Sequence, residues 1–186
     1  MTSISDSPNR SRNRATGRRG LLVTAAAVVA ATATAGVAAA APGQTDTDDT
    51  IAKVVVTSAI TLTNLTPDFT LTGLPGATVA QSGIVTFTVT TNNLAGYAVT
   101  VQSRTPALAP TASGNTDSIP ISALSVRETG TTPYTPLSNT APVTVHSQST
   151  RSAPTGDNLS NDYQVVIPFV NEDTYTTTLD YVATTL

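Results

Sequence analysis

The sequence predicts an all-β protein, an antiparallel β-sandwich, on three observations. Apolar residues alternate with Thr at a period of two in several separate stretches, the pattern of a strand with one buried face. β-Branched Thr and Val, which pack well on a pleated surface and are mediocre in helices, recur through the chain. Twelve Pro and eleven Gly punctuate these stretches at short intervals, as the turns of a sandwich require.

The N-terminus has a different grammar. Arg10, Arg12, Arg14, Arg18 and Arg19 are five of the nine basic residues, and the uncharged run Leu21 to Ala40 follows at once. Charged and then apolar is the order of a secretory signal peptide. The twenty-residue run holds ten Ala, three Thr, one Gly and six Leu or Val, so its drive to insert in a bilayer is weak and cleavage is expected over anchoring. Small residues at Ala38 and Ala40 place the cut before Ala41, because a cut one residue later would put Pro42 beside the scissile bond. Gly17-Arg18-Arg19-Gly20-Leu21-Leu22 also resembles the twin-arginine export signature. The expected organisation is therefore a signal peptide over 1–40, an acidic tail over 41–50 with Asp46, Asp48 and Asp49, and a β-sandwich domain over 51–186.

Composition narrows the function classes. The 146 residues left after position 40 suffice for one core. They carry four basic residues, Lys53, Arg104, Arg127 and Arg151, against eleven acidic ones, a formal charge of −7. With no basic cluster, neither nucleic acid nor an anionic membrane is an expected partner after signal cleavage. The absence of Cys removes disulfides, thiolate nucleophiles and cysteine metal sites together. Core and ladder must stabilise an exported domain without a cross-link.

Taken in order, the first strand candidates are Val54 to Val56, Ile60 to Leu62 and Phe69 to Leu71. From Ile84 to Thr91, Val85, Phe87 and Val89 share one face, and Thr86, Thr88 and Thr90 the other. After the turn-rich Asn92 to Gly96, Tyr97, Val99 and Val101 alternate with Ala98, Thr100 and Gln102, which reads as a hairpin. Ile119 to Val126 and Val143 to Val145 are shorter candidates. A second hairpin is expected where Tyr163, Val165 and Ile167 alternate before Pro168, followed after Asn171-Glu172-Asp173 by Tyr175, Thr177, Leu179 and Tyr181. The Ser, Thr, Pro and Gly-rich stretches 103–118, 129–142 and 147–161 read as surface loops suited to O-glycosylation.

T-N-N-L-A-G-Y-A-V-T-V at Thr91 to Val101 and Y-Q-V-V-I-P-F-V-N-E-D-T-Y-T-T-T-L-D-Y-V at Tyr163 to Val182 resemble the Ig-like β-sandwiches of Gram-positive secreted and cell-surface proteins, including the WxL-like type, although without its Trp motifs. The resemblance implies an Ig-like fold and a secreted or cell-wall-associated location. It carries no catalytic residue over to this chain.

Few residues suggest chemistry. His146, the only histidine, sits in V-T-V-H-S with Thr144 on the face opposite Val143 and Val145, and is expected to face solvent. No G-x-S-x-G occurs to pair it with an activated serine. One His and no Cys exclude the usual zinc sets, leaving oxygen ligands for Ca²⁺: Asp157 and Asp162 in one expected loop, Glu172 and Asp173 in another, neither with EF-hand spacing. Leu74-Pro75-Gly76-Ala77-Thr78 looks like a sortase signal but lies mid-chain with no apolar tail. Lys53, the only lysine, stands before the first expected strand, where it would blunt edge pairing. The expectation is a secreted, non-enzymatic structural or adhesive module without catalytic residues or cofactors, whose partner is an extracellular protein or glycan. The alternative is a carbohydrate-binding or inhibitor-like module that contacts its ligand through exposed Tyr97, Tyr134 or Tyr175.

Overall fold

The computed structural model describes Gly43 and residues 45–186. The expected signal peptide, its twin-arginine motif and its cleavage site lie outside the described residues. The strands are β1 (Ile60–Thr63), β2 (Thr78–Thr91), β3 (Tyr97–Ser103), β4 (Ala107–Pro110), β5 (Ile119–Pro120), β6 (Leu124–Glu128), β7 (Thr135–Pro136), β8 (Val143–Gln148), β9 (Asp157–Val166), β10 (Tyr175–Thr176) and β11 (Leu179–Thr185). One 3₁₀ turn, Ile121–Ala123, breaks the expected strand 119–126 in two. Every strand pair is antiparallel.

Two layers form the sandwich. One is the five-stranded sheet β1-β2-β9-β6-β7, the other the three-stranded sheet β11-β3-β8, and a small sheet β10-β4-β5 completes the fold. The predicted alternation along β2 holds for its apolar face, since Val85, Phe87 and Val89 are all buried. They meet Tyr97, Val99 and Val101 of β3, Val145 of β8, Val126 of β6 and Tyr163 and Val165 of β9 in one core cluster. The Phe87 and Tyr181 rings lie 5.3 Å apart at a tilt, joining the two layers. Thr88 departs from the expected pattern: it is covered, and its hydroxyl donates to Asn158 Oδ1 at 2.9 Å.

Neither expected hairpin exists. β2 and β3 lie in different sheets, as do β9 and β11. Both members of each pair have an apolar face, and facing across the core buries both faces together, whereas a hairpin would set them side by side in one layer. Asn92 to Gly96 is therefore an arch between layers, with Asn93 Nδ2 donating to the carbonyls of Gly96 and Leu186, each at 3.0 Å. Tyr163 and Tyr181 meet through their hydroxyls at 2.6 Å, and Tyr181 donates to Asn161 Oδ1 at 3.0 Å. Burial pushes both phenols well above their ordinary range.

Other expectations are corrected too. Residues 69–71 make no ladder; Phe69 instead lays its ring 4.5 Å from that of Tyr163. Residues 54–56 are exposed and pair with no strand among the described residues, so the strand expected right after Lys53 is missing and β1 begins only at Ile60. Residues 157–161 belong to β9 and not to a loop. Leu74 to Ala77 is a turn closed by the Ala77 N–H on the Leu74 carbonyl at 3.0 Å. β2 and β9 slip register between Gln81 and Val85, a bulge in which Gly83 takes φ +61°. Among the described residues no helix is long and apolar enough to cross a membrane.

Candidate functional site

Three polar clusters collect the residues that chemistry would need. The first fills the β2 bulge. Asp162, on β9 opposite the two extra residues of β2, accepts from the Gly83 N–H and Ser82 Oγ at 2.7 Å each, from Thr129 Oγ1 at 2.7 Å and from Arg127 Nε at 3.0 Å. The carboxylate is 1 % exposed. Burial alone would raise its pKa, but the Ser82, Thr129, Gly83 and Arg127 bonds outweigh it and hold the group at about 2. The Arg127 guanidinium lies 4.2 Å over the Tyr134 ring, so its edge serves Asp162 and one face serves the aromatic ring.

The second cluster surrounds His146. Nδ1 sits 2.7 Å from Glu128 Oε1 on β6, Nε2 is 3.4 Å from Gln148 Oε1, and the ring packs 5.4 Å from that of Tyr97. The side chain is only 12 % exposed, so the solvent-facing expectation fails. β6 is the last strand but one of its sheet, inside the short β7, and β8 is an edge strand of the other, so the imidazole on β8 bridges the two layers through Glu128. Beyond it, Asp157 accepts from Tyr97 Oη at 2.8 Å, Gln148 Nε2 at 2.9 Å and the Ala153 N–H at 3.0 Å. Burial works to raise the Asp157 pKa, and these three bonds together hold it below its ordinary value. The Tyr97 hydroxyl is pushed up by its burial and then by Asp157. A histidine held by a carboxylate is half of a hydrolytic triad, but here Nε2 meets an amide oxygen and not a nucleophilic hydroxyl.

The third cluster ties β10 to β4. Asp173 accepts from Asn115 Nδ2 at 2.8 Å, the Ala112 N–H at 3.0 Å, Thr111 Oγ1 at 3.0 Å and the Thr174 N–H at 2.7 Å. These bonds, led by the Asn115 amide, hold its carboxyl at about 2. Glu172 beside it is exposed.

The structure thus separates the four Ca²⁺ candidates. Asp157, Asp162 and Asp173 each serve a different cluster with oxygens already taken by donors of the fold. No group of three or more His, Asp or Glu among the described residues is arranged to hold a metal ion. The tyrosine candidates fare similarly. Tyr97 is fully buried, a correction to its expected exposure, because the arch turns it into the core. Tyr134 is half-buried against Arg127, and Tyr175 donates its hydroxyl to the Asn171 carbonyl at 2.8 Å. They form no exposed aromatic row.

Sequence reasoning missed Glu128, Gln148, Ser82 and Arg127 as partners of these groups. Their only local signal was polarity at a strand end or beside a Gly. The surface offers an open depression of about 450 Å³ on the outer face of the three-stranded sheet, lined by Thr100, Gln102, Arg104, Asn139, Asp180 and Val182. A smaller cleft of about 200 Å³ lies beside Glu128 and His146. No family model matches this chain, and no curated protein is significantly similar to it.

Proposed function

We propose that this chain is exported and acts outside the cytoplasmic membrane as a non-enzymatic structural or adhesive β-sandwich module, in the manner of the Gram-positive surface proteins its strands resemble. One observation carries the reading: the groups from which a catalytic site would be built are consumed by the fold. Asp157, Asp162 and Asp173 accept three or four hydrogen bonds each, and His146 bridges Glu128 and Gln148. A general base needs a lone pair free to reach a substrate proton. The Arg-rich segment and Ala-rich run at the N-terminus supply the export reading.

Two measurements test this. Protein recovered from culture medium should begin at Ala41 or within a residue or two, and recovery of intact Met1 or Thr2 there counts against processing. A hydrolysis screen over glycan, ester and peptide substrates should show no turnover. Turnover lost in His146→Ala would make the chain an enzyme, since deleting an acid or base costs roughly 10² to 10⁴ in rate.

A further inference from the structure

The segment that precedes β1 is the most anomalous surface of the molecule. Ala52-Lys53-Val54-Val55-Val56-Thr57-Ser58 is exposed throughout, with Val54, Val55 and Val56 at 88, 86 and 77 %. Its composition is that of a strand, yet Ala52 to Val56 make no backbone hydrogen bond to any described residue. Isolated exposed apolar residues are ordinary, but three consecutive β-branched ones with bare backbone are a pairing surface.

Two features stop the segment from pairing with its own domain. Ile60, the first residue of β1, pairs with Thr91, the last residue of β2, so residues before Ile60 continue past the end of that sheet. Asn92 then ties down the chain just before β1: its Nδ2 donates to the Thr57 carbonyl and its Oδ1 accepts from the Ala59 N–H, both at 2.8 Å. The residues ahead of this tie are left exposed beyond the end of β2.

The same chain offers an unfilled place for such a strand. Among the described residues β11 pairs with β3 on one side and with no strand on the other. It is seven residues long, and the seven residues 52–58 span about 23 Å when extended. The sandwich is also open on this side. Where β6 faces β8, Val126 and Val145 are fully buried, whereas Ile60 and Leu62 of β1 and Leu179, Tyr181 and Ala183 of the adjoining β11 are only partly covered. A strand laid on β11 with Ala52, Val54 and Val56 inward would cover that seam and leave Lys53, Val55 and Thr57 outward. Within the paired residues charge agrees, because Lys53 is their only charged side chain and would approach a body in which residues 60–186 hold three arginines against eight carboxylates, while Asp46, Asp48 and Asp49 lie upstream of the pairing.

We infer that residues 52–58 are a donor strand that adds to the free edge of β11 in a second copy of this chain, so that copies assemble by strand addition. The inference rests on the structural reading above and names its partner: another molecule of the same protein. Backbone pairing would supply the affinity, and the apolar seam the specificity.

The test uses the full chain and its variants. Light scattering coupled to size exclusion should give a dimer or longer chain for the parent and a monomer for the Val54→Asp/Val56→Asp variant. Diluted to where the parent is a single chain, the variant should melt at the parent's temperature, because both side chains are exposed there. Leu74→Asp, at another exposed apolar position, should assemble like the parent. Because the chain has no Cys, mixed single-cysteine chains report geometry directly. Val55→Cys should cross-link to Val182→Cys or Thr184→Cys on the outer face of β11, and not to Thr144→Cys on β8. A monomeric parent, assembly that survives Val54→Asp/Val56→Asp, equal loss in Leu74→Asp, or cross-linking to β8 in place of β11 would each overturn the inference. None of these results bears on the absence of turnover, which the hydrolysis screen decides separately.

Discussion

Replacing Asp162 by Asn isolates what the buried carboxylate contributes. The side chain keeps its shape but loses its charge and one acceptor, so a buried NH₂ must face either Arg127 Nε or the three donors on Oδ1. Breaking a buried ion pair from one side costs about 3 to 5 kcal/mol. The Arg127 side chain is 25 % exposed and can turn to water, which lowers the expectation to about 2 to 4 kcal/mol at neutral pH. The pH dependence is specific. The folded pKa is depressed from 3.8 to about 2, so the stabilisation is fully present above about pH 4 and is lost as pH falls through 2. That gap is worth about 2 kcal/mol. Denaturant unfolding followed by circular dichroism, for parent and variant at pH 7 and near pH 2, measures the difference free of the other carboxylates. The parent's advantage should shrink markedly at the acid end. An advantage of the same size at both pH values would refute the assignment of the effect to the ionised carboxylate.

Further outcomes follow from the packing. Phe87→Ala should cost about 3 to 5 kcal/mol in the same unfolding assay, through lost transfer energy and a cavity against Tyr181. Thr88→Ala should cost about 0.5 to 1.5 kcal/mol, the loss of its bond to Asn158 and of the longer one from Asn64 Nδ2, and equal effects at both positions would mean the register is wrong. Gly96→Ala should destabilise by more than about 3 kcal/mol, because φ is +94° and the new Cβ would fall on the Gln148 carbonyl oxygen. Gly130→Ala, at φ +83° with open space around it, should cost about 1 kcal/mol, and thermal melts of the pair distinguish strain from collision. His146→Ala should lower stability by about 1.5 to 3 kcal/mol through its bond to Glu128, and a variant as stable as the parent would show the bond to be idle.

The legible part of the fold was the part written in short-range alternation. Val85, Phe87 and Val89 could be placed on a core face because side chains in a strand alternate sides whatever the strand pairs with. The same reasoning failed where polarity was taken for exposure. Thr88, His146 and Asp162 are polar and covered, each because a partner 18 to 80 residues away meets it. No local pattern encodes such a partner.

By itself the sequence determined that the protein would be built of strands and that no disulfide would hold it. Thr, Val and alternation act within a few residues and survive any change of neighbours. The tertiary structure alone decided which strands pair. Two strands with matching apolar faces are as compatible with one sheet as with two layers, and only burying both faces against each other selects the arch over the hairpin. It also decided that Asp157, Asp162 and Asp173 would serve three separate clusters, and that residues 52–58 would be left outside the sheets. Those outcomes depend on where β9 lies against β2 and where β1 ends against Thr91, distances in space that the order of residues along the chain does not contain.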